Sequence, residues 1–298
     1  MTEQNFKKKL GSFHDKYYKL LLLIPIVILL FSFVYMFIFY SNNNDFVHKD
    51  FSLTGGTSIT ISGEINALQL EEALSEKLDE INTREIYDIT TRAQIALIVQ
   101  TKTETEEAKE ILEDYLGYKL DSENSSFEFI SSDLGENFYK QLLIAILFSF
   151  AFMGIIVFII FRTFIPSMAV IVSAFADIFM TLTLIDILGI KMSSVGIVAF
   201  LMLIGYSVDT DILLTNRILK RHEGSLNQRI FGAFKTGITM TLTSLLALVF
   251  ALIVVSSFSV ILTQIFTVLV IGLGFDILNT WITNVSILKW YVKSKGKE

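Results

Sequence analysis

A stretch without a single charged residue runs from Thr236 to Phe275. As one helix rising roughly 1.5 Å per residue it would measure about 60 Å, twice the thickness of the hydrocarbon core of a bilayer. The stretch therefore has to fold back, and the serines at 256, 257 and 259 mark the turn. Charged residues make up only 18% of the chain, against about 25% in a soluble domain. These features predict an integral membrane protein.

Four further apolar segments are long enough to cross a membrane, so the sequence predicts six transmembrane helices with one folded domain after the first. The predicted segments are a cytoplasmic N-terminus 1–19, a helix 20–40, an extracytoplasmic domain 41–139, a five-helix bundle 140–289 (helices 141–161, 163–185, 192–216, 236–255 and 260–288) and a cytoplasmic tail 290–298.

The orientation follows from the basic residues, which accumulate in cytoplasmic loops. Of the 24 Lys and Arg residues, 15 lie in the terminal regions and in the loops that share their side. The segment 41–140 carries 21 acidic and 8 basic residues, as expected of an outer domain. The sequence predicts a multi-pass protein of the cytoplasmic membrane with both termini in the cytoplasm.

The predicted outer domain alternates short strand patterns with two amphipathic helices, at Asn66–Ile81 and Thr103–Leu116. Asn66 with Gln69 and Thr103 with Glu106 have the spacing of capping boxes. The order βαββαβ is that of a ferredoxin-like fold, so the whole chain is predicted as a membrane all-α bundle with an inserted α+β domain. Asn124 begins a glycosylation sequon, or a triplet that arises by chance.

Few residues outside the predicted membrane segments could bind a metal or carry out catalysis. The chain has no Cys and three widely separated His residues, so no metal motif is present. The outer domain has no catalytic grouping. The sequence therefore predicts a protein that is not an enzyme and has no cofactor and no nucleic-acid partner.

Four carboxylates lie inside predicted helices, where burial of a charge is costly and requires a reason. Asp209, Asp211 and Asp276 are predicted toward the cytoplasmic half, with Lys235 in reach, and Asp177 further out. Polar stripes predict which faces point into the bundle. The stripes are Gly272, Asp276, Asn279 and Thr283 on the sixth helix and Thr236, Thr239 and Thr243 on the fifth, and the polar residues expected in the bundle interior are Asn279, Thr239 and Arg217.

Two interpretations of these carboxylates are open. In one, they form a proton relay in a dry environment. In the other, Asp and Lys or Arg neutralise each other and fix the helices. Asp209 and Asp211 lie about 200° apart around a helix, so they face different sides. We predict that Asp209 points inward, because it shares a face with Tyr206 and Asn216.

Several short motifs resemble the SecD/SecF family of the resistance–nodulation–division superfamily, in its archaeal form. The segment from Asp50 through Gly55 and Gly56 to Thr57 resembles the family's Asp-Phe-Thr-Gly-Gly-Thr, with two extra residues. Gly205-Tyr206-Ser207-Val208 matches the fourth helix, and Asn216-Arg217-Ile218 resembles its exit. The sequence departs from the bacterial pattern at Asp209-Thr210-Asp211, where Asn-Asp-Thr is usual, and at Lys235, where Arg is usual.

The resemblance implies an accessory subunit that pairs with SecD beside the Sec translocon and uses protons to help exported polypeptides cross the lipid bilayer. It carries only Asp209, Asp211 and Lys235 over as proton-path residues; Asp177 and Asp276 rest on burial alone. Two alternatives differ in kind, namely a stand-alone proton-coupled exporter of small molecules and a purely structural membrane scaffold.

Overall fold

The computed structural model describes residues 17–220 and 224–295. The ends of the predicted segments 1–19 and 290–298, together with Arg221, lie outside this range. Six of the described helices are long and apolar enough to cross a membrane. The elements are α1 Leu23–Asn43, α2 Phe51–Thr54, β1 Gly56–Ser62, α3 Ala67–Leu74, β2 Asn82–Tyr87, β3 Gln94–Thr101, α4 Thr105–Leu116, β4 Ser125–Ile130, α5 Ser132–Phe161, α6 Phe164–Ile187, α7 Ser194–Lys220, α8 Leu226–Val255, α9 Val260–Leu278, a π-helical segment Asn279–Asn284 and α10 Val285–Ser294.

The four strands form one antiparallel sheet in the order β2-β3-β1-β4. In the two central strands Ile59 pairs with Val99, and both side chains are fully buried. Helices α3 and α4 cover this face with Leu70, Leu74 and Leu112. The alternating pattern of the strands and the apolar stripes of the two helices therefore build one separate core, in a unit that we call the sheet domain (residues 56–130).

Two local predictions for the sheet domain are wrong. The helix expected to run to Ile81 ends at Leu74, although Asn66 does cap it by accepting the N–H of Gln69 at 3.1 Å. Thr103 caps no helix, because α4 begins at Thr105 and the Thr103 hydroxyl oxygen accepts the N–H of Asp79 at 3.1 Å. Long-range contacts with residues 79–80 outcompete the local capping pattern here.

The helices that form the bundle extend beyond the predicted apolar cores. The helix predicted at 141–161 begins at Ser132, where the Ser131 hydroxyl accepts the N–H of Leu134. The helix predicted at 236–255 begins at Leu226, behind a capping box of Ser225 and Gln228. Hydropathy finds only the apolar part of a helix, whereas caps decide where its polar end begins.

The glycine motif forms the junction between the sheet domain and the membrane helices. Gly55 has φ +82°, and a Cβ placed there would lie 2.5 Å from the backbone of Ser132 in the first turn of α5. A Cβ on Gly56 would lie 2.5 Å from the carbonyl oxygen of Thr101. Thr57 adds a hydrogen bond from its hydroxyl to the carbonyl of Thr103 at 2.7 Å. Glycine is required here because two backbones approach without room for a side chain.

The bundle side of this junction is also held by backbone hydrogen bonds. The N–H of Asp50 donates to the carbonyl of Met192 at 2.9 Å, and the N–H of Met192 donates to the carbonyl of His48. Burial raises the pKa of the Asp50 carboxyl, opposed by the Phe51 N–H and the charge of Lys191. At the far end of β2, the N–H of Tyr87 donates to the carbonyl of Ser257 at 2.9 Å, in the α8–α9 loop.

The sequon asparagine is held inside a turn. The Nδ2 of Asn124 donates to the carbonyl of Lys119 at 2.8 Å, and its Oδ1 accepts the N–H of Asp121 at 2.9 Å. A glycan attaches at Nδ2 and would require this turn to open. We expect the purified protein to carry no glycan at Asn124, with an intact mass identical to that expected for the unmodified chain. A glycopeptide containing residue 124 would contradict this.

Candidate functional site

Three carboxylates that are distant in sequence meet inside the bundle. Asp177 on α6, Asp211 on α7 and Asp276 on α9 are 0%, 0% and 1% exposed. Asp177, predicted to lie further out than the others, belongs to the same polar cluster. None of the three forms an ion pair with Lys, Arg or His within the described ranges.

Hydroxyl and amide groups contact each of the three carboxylates. Asp177 accepts the Ser207 hydroxyl at 2.5 Å and the Asn279 Nδ2 at 2.7 Å. The Thr210 hydroxyl lies 3.1 Å from Asp276 Oδ1 and 2.9 Å from the Ser207 carbonyl oxygen. Ser207 and Thr210, one turn apart on α7, therefore bind Asp177 and Asp276 respectively.

A single hydroxyl joins Asp276 to Asp211. Thr280 Oγ1 lies 3.1 Å from Asp276 Oδ1 and 2.9 Å from Asp211 Oδ1. A threonine hydroxyl has one hydrogen, so it can donate to only one of the two carboxyls. Both contacts are hydrogen bonds only if the other carboxyl is protonated and donates to Thr280. The geometry therefore accommodates a proton on one member of the pair.

Asn284 is a further contact of Asp211, to whose Oδ1 its Nδ2 donates at 2.7 Å. Both Thr280 and Asn284 lie in the π-helical segment, a wide turn that is common at functional sites. Thr210, Thr280 and Asn284 were not among the predicted site residues. The signal was present in the spacing of four residues from Asp276 to Thr280 and from Thr280 to Asn284.

The structure separates the two carboxylates of α7 as the helical geometry predicts but reverses their roles. Asp211 is buried with Ser207, whereas Asp209 is exposed together with Tyr206 and Asn216. The prediction that Asp209 points inward is therefore wrong. Relative spacing gives the angle between two side chains on a helix, but not which of them faces the core.

The residues expected around Lys235 do not join the cluster. Lys235 and Thr239 are exposed on α8, and the Thr239 hydroxyl donates to the Lys235 carbonyl at 2.7 Å. Arg217 is partly buried but binds the start of α8, donating to the carbonyl of Gly232 at 2.5 Å and to the Thr236 hydroxyl at 2.9 Å. Of the three residues predicted in the polar interior, only Asn279 lies in the carboxylate cluster.

Some glycines of the bundle lie at helix contacts and others are exposed. A Cβ on Gly272 would lie 2.5 Å from Leu203, and one on Gly196 would lie 2.8 Å from Gln264, so both allow close helix packing. Gly205 has no atom within 4 Å of its Cβ direction and is exposed. Gly205 is therefore not a close-packing position between the helices of this chain.

Comparison with known sequences decides the family. The sequence profile described as "Protein export membrane protein SecD/SecF, C-terminal" matches residues 110–294. The protein-export membrane protein SecF of Methanocaldococcus jannaschii is 39% identical over 93% of this chain and 96% of its own length. This chain belongs to the SecD/SecF family. The SecF of Pyrococcus furiosus is 33% identical over 98% of this chain and 97% of its own.

Solved SecDF structures share the fold. SecDF of Thermus thermophilus, described as a translocon-associated membrane protein, superposes with a TM-score of 0.70 at 17% identity. The match covers 93% of this chain but only 38% of that SecDF chain. SecDF in a super-membrane-facing form gives a TM-score of 0.61 at 18% identity. The arrangement of membrane helices and sheet domain is therefore the arrangement found in a part of SecDF.

Proposed function

We propose that this chain is an accessory subunit of the Sec protein-export machinery that acts with a SecD-like membrane subunit. The observation that carries the proposal is the match to SecF proteins over nearly the whole length of both sequences. A stand-alone exporter is less well supported, because the chain corresponds to only 38% of the SecDF chain with which it superposes.

The chain lies in the cytoplasmic membrane with both termini in the cytoplasm and the sheet domain outside. The uneven distribution of Lys and Arg supports this orientation. The sheet domain is of the ferredoxin-like type, supported by the element order βαββαβ and the strand order β2-β3-β1-β4. In this position the domain can contact polypeptide that emerges from the translocon.

The carboxylate cluster supports a role for protons in protein export. Three buried carboxyls without a basic partner in the described ranges are neutralised most simply by protons, because burial of an uncompensated charge is costly. Thr280 lies within hydrogen-bond distance of both Asp276 and Asp211, and the Ser207 hydroxyl lies within that distance of Asp177. We propose that Asp177, Asp276 and Asp211 carry protons in the chain, and that the proton-motive force acts through them. A structural ion pair would require a base that the described cluster lacks.

A second polar surface fits the SecD-like partner. Asp209 lies near the middle of α7 and is exposed, as are Lys235, Thr239 and Thr243 on the neighbouring helix α8. A carboxylate that faces lipid at this depth costs about 2.5–3.5 kcal/mol. A partner helix that covers this surface with a polar group removes that cost. We propose that the exposed faces of α7 and α8 form the contact with the SecD-like subunit.

Charge reversal tests this contact. With Asp209→Lys we expect co-purification of the SecD-like subunit to fall about tenfold, because a buried partner group would lose its complement and meet a like or unmatched charge. The measurement is quantitative recovery of that subunit with the tagged chain from solubilised membranes. Asp114→Lys on the surface of the sheet domain is the matched control, since the Asp114 side chain is 81% exposed. Equal recovery with both variants would contradict the proposed contact surface.

The orientation is tested by thiol labelling, which is straightforward because the chain has no Cys. Cysteine introduced at exposed Ser122 of the sheet domain is expected to react with a membrane-impermeant reagent in intact cells. Cysteine introduced at exposed Lys220, at the end of α7, is expected to react only after the cells are opened. The reverse pattern would overturn the proposed orientation.

A further inference from the structure

The two edges of the sheet have different neighbours. The strand order β2-β3-β1-β4 leaves β2 and β4 with one neighbouring strand each. On the β2 edge the N–H of Tyr87 donates to the carbonyl of Ser257, so the chain itself occupies part of that edge. On the outer side of β4 no strand of the described ranges is paired. β4 is therefore the open edge of the sheet domain.

The register of β4 shows which of its backbone groups point away from the sheet. The pairing with β1 continues to Ser62, whose N–H donates to the carbonyl of Asn124 at 2.8 Å. Backbone groups in an antiparallel pair alternate between the two sides of a strand, so the even-numbered residues of β4 bond to β1. The N–H and C=O groups of Phe127 and Phe129 therefore point outward, and no other backbone group of the described residues bonds to them.

This edge lacks the features that usually prevent a further strand from pairing. β4 contains no Lys and no Pro, and it pairs with β1 over six residues without a register shift. The Phe129 ring is 54% exposed on one face, and Ser126 and Glu128 are exposed on the other. An extended segment that pairs here gains an aromatic contact and backbone hydrogen bonds, which do not depend on its sequence.

The direction of β4 fits a polypeptide that is leaving the membrane. β4 ends at Ile130 and the membrane helix α5 begins at Ser132, so the strand runs toward the membrane. A polypeptide whose N-terminal part has already crossed also runs toward the membrane, from its N- to its C-terminus. It would add to β4 as a parallel strand. Parallel pairs are slightly less stable than antiparallel pairs, which suits contacts that form and break during export.

The charge of the sheet domain and its flanks favours one kind of segment. Residues 41–140 include 21 acidic and 8 basic residues, and Glu128 is exposed on β4 itself. Complementary charges steer association, whereas like charges oppose it. A strand that carries Lys or Arg therefore complements this edge better than an acidic strand does.

We propose that the outward edge of β4, at Phe127 and Phe129, binds extended segments of the exported polypeptide by parallel strand addition and prefers basic segments. The identity of this ligand rests on the proposed function, because a subunit of the export machinery is placed where polypeptide emerges. The strand addition itself needs neither the SecD-like subunit nor a proton gradient. It is therefore measured on the purified full-length chain.

The probe is a fluorescein-labelled nonapeptide of alternating Thr and Val with a Lys at each end. We expect its fluorescence anisotropy to rise saturably with the concentration of the chain. The same peptide N-methylated at every Thr and Val keeps its side chains but loses its central donors, and we expect its Kd to be at least about tenfold higher. Equal Kd values for these two peptides, or no saturable binding, would overturn the proposal.

A third peptide tests the charge preference. It has Glu in place of both Lys residues, and we expect its Kd to be about threefold to tenfold higher at low salt. The difference is expected to shrink at high salt, because exposed charges are screened. Equal Kd values for the Lys and Glu peptides at low salt would contradict the preference for basic segments.

Variants of Phe129 locate the binding edge. Phe129→Pro removes an outward N–H and leaves the bonds of Glu128 and Ile130 to β1, since Pro is tolerated where the N–H of an edge strand faces solvent. We expect the peptide Kd to rise at least about tenfold. Phe129→Ala is the matched control: it keeps the N–H but loses the ring, so a rise of only about twofold to threefold is expected. An unchanged Kd in Phe129→Pro would overturn the proposal, and if that variant fails to fold, the N-methylated peptide decides.

Two other occupants of the edge would be recognised in the same experiments. If the peptide does not bind and Phe129→Pro lowers recovery of the SecD-like subunit, that subunit covers the edge. If Phe129→Pro instead dissociates a dimer of the purified chain, a second copy covers it. Either result overturns the proposal. Failure of the proposed function would appear separately, as a wild-type chain that does not recover the SecD-like subunit although it binds the peptide.

Discussion

An Asp276→Asn variant is expected to accumulate at wild-type levels or above and to lose all stimulation of export by the proton gradient. The asparagine amide resembles the protonated carboxyl, because its Nδ2 can donate to Thr280 as the acid would. It cannot release a proton. The amide replaces a carboxyl that is neutral when protonated, so the desolvation cost changes little and stability is expected to be unchanged.

The measurement is export of a reporter protein in inverted membrane vesicles, with and without an uncoupler, alongside the quantified level of the chain. Wild type is expected to lose stimulation when the uncoupler is added, and Asp276→Asn to show none in either condition. Asp114→Asn, at an exposed position of the sheet domain, is the matched control. If Asp276→Asn and Asp177→Asn both retain uncoupler-sensitive stimulation at normal abundance, the proton role of this cluster is wrong. A fall in abundance would instead support a structural role.

Gly55→Ala is expected to destabilise the chain by about 2–5 kcal/mol, because it adds both backbone strain and overpacking. At φ +82° and ψ 163° an alanine backbone is strained, and its Cβ would lie 2.5 Å from Ser132. The neighbouring atoms belong to backbone, so no side-chain rotation relieves the clash. We expect most of the chain to be lost from the membrane fraction, and the remainder to unfold at lower temperature.

Gly117 provides the control for this substitution. It also has positive φ, +76°, but nothing lies within 4 Å of its Cβ direction. Gly117→Ala therefore adds strain without a clash, and we expect a loss of only about 1–2 kcal/mol. Thermal unfolding of the two purified variants separates the contributions. Similar midpoints for both variants would mean that the junction tolerates a side chain, contrary to the observed approach of the two backbones.

Most of the fold could be predicted because its signals are local and strong. The uncharged stretch from Thr236 to Phe275 requires two helices, and the structure turns between Val255 and Val260. The ends of elements were less predictable, since they depend on contacts with distant residues. Thr103 has the local spacing of a helix cap, yet it binds Asp79.

The sequence predicted the three carboxylates of the site but not how their helices orient them. Asp177, Asp211 and Asp276 could be identified because a carboxylate in an apolar helix is energetically costly whichever way its side chain points, and is therefore retained only for a structural or functional role. The sequence could not show that Asp211 rather than Asp209 faces the core, since this depends on how α7 is rotated against its neighbours. Lys289 is a similar case: it directly follows the predicted sixth helix, 260–288, as a flanking positive charge would, but it is fully buried and donates to Asn227 at 3.0 Å.

Backbone contacts attach the sheet domain to the helix bundle at two separate places. The segment that leads into the sheet domain, His48 to Asp50, is fixed to Met192, just before α7, by two backbone hydrogen bonds, next to the glycine junction. The second attachment is at Ser257, just before α9, through a single backbone bond from Tyr87. α7 carries Asp211 and α9 carries Asp276. A change in tilt between these two helices therefore alters the distance between Met192 and Ser257, the two points at which the sheet domain is attached. Within the described residues, two backbone hydrogen bonds join Met192 to the segment before the sheet domain, whereas one joins Ser257 to β2.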